Sequence, residues 1–176
     1  MSTTKWIADP THSQIGFKVK HMMFTNVNGK FETFEATIES DGDNFENSNM
    51  RFSGDIASIS TGNADRDAHL KGADFFNGDE SPKITFTSAS VTKTSENEFE
   101  VAGDLSLRGV TKPVRLQAEF GGIMKDPFGN TKAAFSITGK INRKDWGLTW
   151  NAALETGGVL VSDEVRLDIE LQFVRQ

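Results

Sequence analysis

A chain of 176 residues is long enough for one domain with a substantial core or a closed barrel. Nineteen basic and twenty-five acidic residues leave a net charge of −6 without blocks of one sign, which argues against nucleic acid or an anionic membrane as the main partner. No cysteine is present, so disulfides, a thiol nucleophile and Cys-based metal or iron–sulfur sites are excluded.

Residues 1–10, MSTTKWIADP, lack the apolar core of a secretory signal, and no run reaches the ~18 apolar residues of a membrane span. A cytoplasmic protein that does not span a membrane is expected. Residues 12–21, HSQIGFKVKH, alternate as a strand with Ile15, Phe17 and Val19 on one face and Lys18 and Lys20 on the other. Strict alternation puts His21 on the apolar face. Residues 27–39 change parity between Phe31 and Phe34, which predicts a bulge or bend in one long curved strand. Residues 40–49, SDGDNFENSN, read as a polar turn region. A third strand near 50–59 alternates through Met50, Phe52, Gly54 and Ile56.

Residues 61–76, TGNADRDAHLKGADFF, break this pattern. Asn63 suits a helix cap, Asp65 and Asp67 its first turn, His69 and Lys71 its last, and Gly72 its stop. A helical insert near 63–72 is predicted. Its apolar face is only Ala64, Ala68 and Leu70, so two turns must dock on the strands to persist. Further strands follow: 83–91 with Ile84 and Phe86, then 99–107 with Phe99, Val101, Leu105 and Leu107, after a turn at 92–97. Residues 114–120 and 133–141 are also strands, the second with Phe135 and Ile137 on one face, separated by a loop at 121–132. NRKDWGLTW and the pair Gly157–Gly158 precede the final strand, in which Val165, Leu167, Ile169, Leu171 and Phe173 share a face.

These are eight or so one-sided antiparallel strands with no repeat and no linker, so 1–176 reads as a single domain. The pattern fits a sandwich or a closed barrel. Sequential hairpins, long strands and glycines at bends favour an all-β, lipocalin-like, elongated up-and-down barrel with one short helical insert. Eight strands enclose an interior that side chains fill or that holds one small ligand. Fourteen Phe, three Trp and no Tyr furnish that interior with dry aromatic surface.

DPTHSQIGFKVKH, VNGKF, SISTGNADRDAHLKGADFF, PKITF, GDLSLRGVTKPV, INRKDWGLTW and DEVRLDIEL, in this order from Trp6 to Val174, resemble the bacterial YceI-like family. The resemblance implies a lipocalin-like barrel with an apolar central tunnel that binds polyisoprenoids or other long-chain amphiphiles. It also implies a homodimer formed through the outer face. Many relatives are exported, so the resemblance leaves the compartment open. No cofactor is implied, and the reading is of a binding protein rather than an enzyme.

Four groups are candidate sites. The first is the barrel lining, Phe17, Val19, Phe34, Ile38, Phe52, Phe86, Leu105, Leu107, Phe135 and Ile137, which either fills the core or surrounds an apolar tail. The second is His12, His21 and His69, all the histidines present. Three histidines suit a zinc site, but no HxH or HExxH spacing supports one, and His21 serves equally as a donor to a ligand head group. The third is Arg66 and His69 on one face of the insert, which either meet a polar head at the barrel mouth or, with Asp67, pin the insert in place. The fourth is Trp146 and Trp150, which line the mouth or close the core, with Arg143, Lys144 and Asp145 as a solvated turn. No GxSxG elbow, P-loop or dinucleotide glycine motif is present. The rival readings are a metal- or His-dependent enzyme and a solid-cored interaction protein.

Overall fold

Alternating apolar and polar residues give each strand one face that must leave water, and closing the sheet on itself buries that face without leaving an open edge. The computed structural model describes residues 3–22, 24–151 and 161–176. Its strands are β1 (Thr3–Ala8), β2 (Gln14–His21), β3 (Thr25–Phe31), β4 (Phe34–Asp41), β5 (Asn44–Asp55), β6 (Ile59–Ser60), β7 (Lys83–Ser95), β8 (Glu98–Leu107), β9 (Val110–Lys125), β10 (Thr131–Asn142) and β11 (Val161–Arg175). One helix, α1 (Ala64–Lys71), lies between β6 and β7.

All pairings are antiparallel, and β1, β4, β5, β7, β8, β9, β10 and β11 form a ring that β1 closes on β11 from Trp6↔Arg175 to Ala8↔Phe173. The earlier part of β11 pairs with β2, which carries β3 and β6 beyond it. Thus β1 and β2 are two halves of one broken barrel strand, and β3 and β4 are two halves of a bent one. The result is an eight-stranded closed antiparallel barrel.

Several strands run further than their sequence pattern predicts. The bend forecast between Phe31 and Phe34 divides that segment into β3 and β4 at Glu32–Thr33. The polar stretch 40–49 is mostly strand, with a turn only at Gly42–Asp43, and Phe45 within it is 1 % exposed. The loop expected at 121–132 is reduced to a turn around 126–130, and β7 continues to Ser95 through four of the six residues of the turn expected at 92–97. Gly157–Gly158 lie outside the described residues. In each extended case the long hairpin arms carry polar residues on both faces or small residues inward, so alternation fades while cross-strand pairing continues.

The barrel end away from α1 is closed by aromatic side chains. Phe45 packs against Phe120, Phe135 and Trp6 with ring centroids 5.2, 5.1 and 5.4 Å away, and Phe135 also meets Phe173 at 6.0 Å. Trp6 is fully buried, donates Nε1–H to Ser40 Oγ at 2.8 Å, and has the Arg175 guanidinium 5.6 Å from its ring centre.

The break between β1 and β2 is held by Asp9. Its carboxylate accepts from Thr11 N at 3.0 Å and Thr11 Oγ1 at 2.7 Å, lies 2.8 Å from His12 Nδ1, and meets Lys132 Nζ at 3.1 Å. Lys132 also reaches Asp126 at 3.7 Å, so one ammonium ties the break to the β9–β10 turn. The His12 contact first, then the Thr11 hydroxyl and Lys132, hold the Asp9 carboxyl well below the usual carboxylate range against a partial burial that pushes it up. A folded state that takes up this proton less readily than the unfolded chain is stabilised above the unfolded value, ~3.9, and loses that contribution as pH falls towards the lower folded value. Asp9→Asn is therefore expected to flatten the acid limb of a melting temperature–pH profile below about pH 4. An unchanged acid limb would remove Asp9 from the account.

Candidate ligand-binding site

The inward faces of the strands do not fill the barrel completely. A deep cavity of about 110 Å³ lies above the aromatic floor, where Phe135 and Phe173 form its base. Phe17, Ile38, Phe52, Phe86, Leu105, Phe135 and Ile137 from the predicted lining all border it. Above it is a second apolar cavity of about 100 Å³, bordered by Val19 and Leu107 among others. A third, of about 170 Å³, opens between α1 and the β2–β3 hairpin. It brings together His21, Arg66, His69 and Trp150, four nominated residues from three separate parts of the sequence. For scale, a dry cavity of ~150 Å³ lined by Leu, Ile and Phe accepts one benzene.

Phe17 borders all three cavities and is the partition between them. Its ring lies over Gly29, its cross-strand partner, where a Cβ would come within 2.2 Å of the ring. Glycine at 29 is what lets the ring lie flat on the sheet rather than stand in the opening. Phe31, 5.8 Å away between ring centres, backs it from the next strand.

Two nominated residues stand elsewhere. Phe34 packs on Phe52 with ring centroids 6.5 Å apart and borders none of the three cavities, because it sits at the start of β4 where the bend turns the chain. Trp146 is 2 % exposed and faces away from the apolar cavities. It belongs to a 3-10 turn, Arg143–Trp146, rather than to a strand shared with Trp150. Its Nε1–H donates to Leu105 O at 2.9 Å, filling the gap where β9 and β10 part beyond Thr138↔Gln117.

The mouth is shaped by ties within and around α1. Asn63 Oδ1 caps the helix by accepting from Arg66 N at 3.0 Å. Asp67 accepts from Thr61 N and Thr61 Oγ1, at 2.9 and 2.6 Å, while Arg66 donates to Thr61 Oγ1 and Thr61 O, at 2.7 and 2.8 Å. His69 Nε2 lies 2.9 Å from Asp74 Oδ2, and its ring stands edge-on to Phe75 and Trp150, each 4.9 Å away. No α1 residue is buried, so these ties and the Leu70 and Phe75 side chains over the opening hold the helix there.

The three histidines do not converge. His12 belongs to the Asp9 cluster, His69 to Asp74, and His21 to the opposite rim of the mouth. Among the described residues no group of three His, Asp or Glu side chains is placed to hold a metal ion.

Sequence reading missed several contributors. Arg143, expected in a solvated turn, is 5 % exposed. Its guanidinium donates to Ser162 O, Leu148 O and Val161 O at 3.0, 2.6 and 3.3 Å, stitching the turn after β10 to the start of β11. Burial lowers its pKa, the Asp163 carboxylate at 3.9 Å opposes this, and arginine stays charged throughout. Arg108 does a related job, donating to Gly147 O at 2.7 Å and Ala73 O at 3.0 Å across the same end. Leu167, Ile169, Leu171 and Phe173 also border the deep cavity, and the alternation of the final strand was sufficient to find them.

Comparison with known proteins places this geometry. Residues 6–173 match the family model of the YceI-like domain. The UPF0312 protein SA2479 of Staphylococcus aureus (strain N315) is 39 % identical over 173 residues, covering 97 % of each chain. The crystal structure of the Campylobacter jejuni YceI protein is 34 % identical with a TM-score of 0.78, over 89 % of this chain and 90 % of its own. A polyisoprenoid binding domain from Saccharophagus degradans, implicated in plant cell wall breakdown, shares the fold with a TM-score of 0.72 at 17 % identity, over 97 % and 98 % of the two chains.

Proposed function

The chain belongs to the YceI-like family, and on that footing we propose that it is a non-enzymatic carrier of a long-chain isoprenoid or acyl amphiphile. The tail occupies the cavities and the polar head stays at the mouth beside His21, Arg66 and His69. The observation that carries this reading is the row of three apolar cavities running from an exposed mouth to a closed aromatic floor. Two of the nominated head-group contacts are already engaged, Arg66 by Thr61 and His69 by Asp74, so tail burial supplies most of the affinity. A chain that reaches the deep cavity must turn the Phe17 ring aside, a side-chain rearrangement of the kind common on binding. The polyisoprenoid-binding domain with the same fold supports the choice of ligand class.

The floor makes the site a blind pocket rather than a tunnel, and this sets a length dependence. Each buried methylene is worth about 0.8 kcal/mol, or roughly fourfold in affinity. Calorimetric titration with isoprenols and with fatty amides of increasing length is expected to show affinity rising about fourfold per methylene, then levelling when the tail meets the floor. The heat-capacity change should be negative throughout the rise. Affinity independent of chain length, or no binding by either series, would refute the proposal.

A further inference from the structure

We propose that the tip of the β2–β3 hairpin docks the pocket mouth on an anionic bilayer, so that the amphiphile passes between membrane and pocket without crossing water. This rests on the lipid-carrying reading above. Met22 and Phe24 project from the tip with 45 % and 85 % of their surface exposed. The turn is defined by a hydrogen bond from Phe24 N to His21 O at 3.2 Å, and Met22 has φ +53°. The apolar tip thus follows directly on His21, which borders the mouth. An exposed aromatic beside the opening of an apolar pocket is suited to the lipid interface, where its ring replaces acyl surface rather than meeting water.

Charge selects the surface. From Gln14 to Phe31 the hairpin carries Lys18, Lys20 and Lys30 and no acidic residue, in a chain of net charge −6. Lys18 lies 3.5 Å from Asp168 and Lys30 lies 3.9 Å from Glu32, but among the described residues Lys20 pairs with no carboxylate. Nor do Arg66 on the facing rim and the nearby Lys71. The acidic groups of that rim are Asp65, which is exposed, and Asp67 and Asp74, which accept from Thr61 and face His69. Asp163 and Glu164 of β11 stand beside Lys20, whose backbone N–H donates to Ser162 Oγ at 3.3 Å, but Asp163 pairs with Arg143 and Lys144 and Glu164 with Arg166. Salt screens more distant exposed charges over ~10 Å, so the local basic rim, not the overall negative charge, meets the lipid head groups. Long lysine side chains reach head-group phosphates while their stems follow the apolar tip inward.

The opposite end provides an internal control. Met124 and Phe128, near and within the β9–β10 turn, are 59 % and 89 % exposed, but the barrel beneath them is the closed aromatic floor. Exposure alone would make both ends dock; the proposal predicts that only the hairpin does.

Sedimentation with vesicles tests this. The protein is expected to bind vesicles of equimolar phosphatidylcholine and phosphatidylglycerol, to release them as salt is raised, and to leave pure phosphatidylcholine unbound. Phe24→Ser and Lys20→Glu should each lower partitioning about fivefold or more, and Phe128→Ser should leave it unchanged. Phe24→Ser should still bind an isoprenol in detergent-free solution, which separates docking from pocket occupancy: loss of isoprenol binding by the unsubstituted protein would sink the carrier reading alone. No vesicle binding, binding indifferent to Phe24→Ser, or loss in Phe128→Ser instead would overturn the docking proposal. So would concentration-dependent self-association that Phe24→Ser abolishes, since the tip would then be the contact with a second copy.

Discussion

Ala36→Phe is expected to lower affinity for the amphiphile about a hundredfold while leaving the barrel folded. Ala36 is 3 % exposed, sits opposite Phe52 in the β4–β5 ladder and borders the deep cavity of about 110 Å³. A phenyl ring placed there occupies the space the tail end needs. Losing three or four methylene sites at about 0.8 kcal/mol each gives a factor of roughly a hundred. Because the new ring enters an existing void, the overpacking cost should stay near ~1 kcal/mol, at the low end for small-to-large core changes. Titration with the longest ligand of the homologous series reads the effect, with short ligands as the control: they reach only the upper cavities and should bind normally. Equal loss for short and long ligands would mean that the substitution distorts the barrel rather than shortening the pocket.

Phe135→Ala is expected to cost about 4 kcal/mol and to lower the melting temperature by about 10 °C. Phe135 is 2 % exposed and is the ring that joins Phe45, Phe120 and Phe173, so its removal leaves a void among rigid neighbours. The same change deepens the pocket, since Phe135 is also part of its base. Affinity in the homologous series should then level off at a longer chain than in the unsubstituted protein. A loss of stability with no shift in the levelling point would place the base of the pocket elsewhere.

The sequence made the fold legible where one physical pattern acted alone. The α1 signals, an Asn cap, acidic first turn, basic last turn and a stopping glycine, are local chemistry, and the helix forms at Ala64–Lys71. The parity change between Phe31 and Phe34 was equally local and marks the bend between β3 and β4. Strand ends were harder, because Phe45 among polar neighbours gives no alternation to read, yet it is one of the most buried rings of the floor. β1 went unread for a similar reason: its burial follows from closure on β11 and not from its own short pattern.

The site followed the same division. Parity alone identified the deep lining residues on β2, β5, β7, β8 and β10. It failed for Phe34, whose face is set by the bend, and for Trp146, which occupies a 3-10 turn after the strand. Arg143 was unreadable in principle, because its three carbonyl acceptors come from residues 5, 18 and 19 positions away. The closure of one end required five aromatic residues from five strands to meet, which no single stretch of sequence displays.

Native mass spectrometry of the protein purified from cells without detergent, followed by organic extraction of the bound material, tests the central claim most directly. A single amphiphile with an isoprenoid or acyl tail, bound one per chain and absent from the Ala36→Phe protein, is the predicted result. Protein that carries no lipid from cells and takes up neither isoprenols nor fatty amides in solution would contradict it.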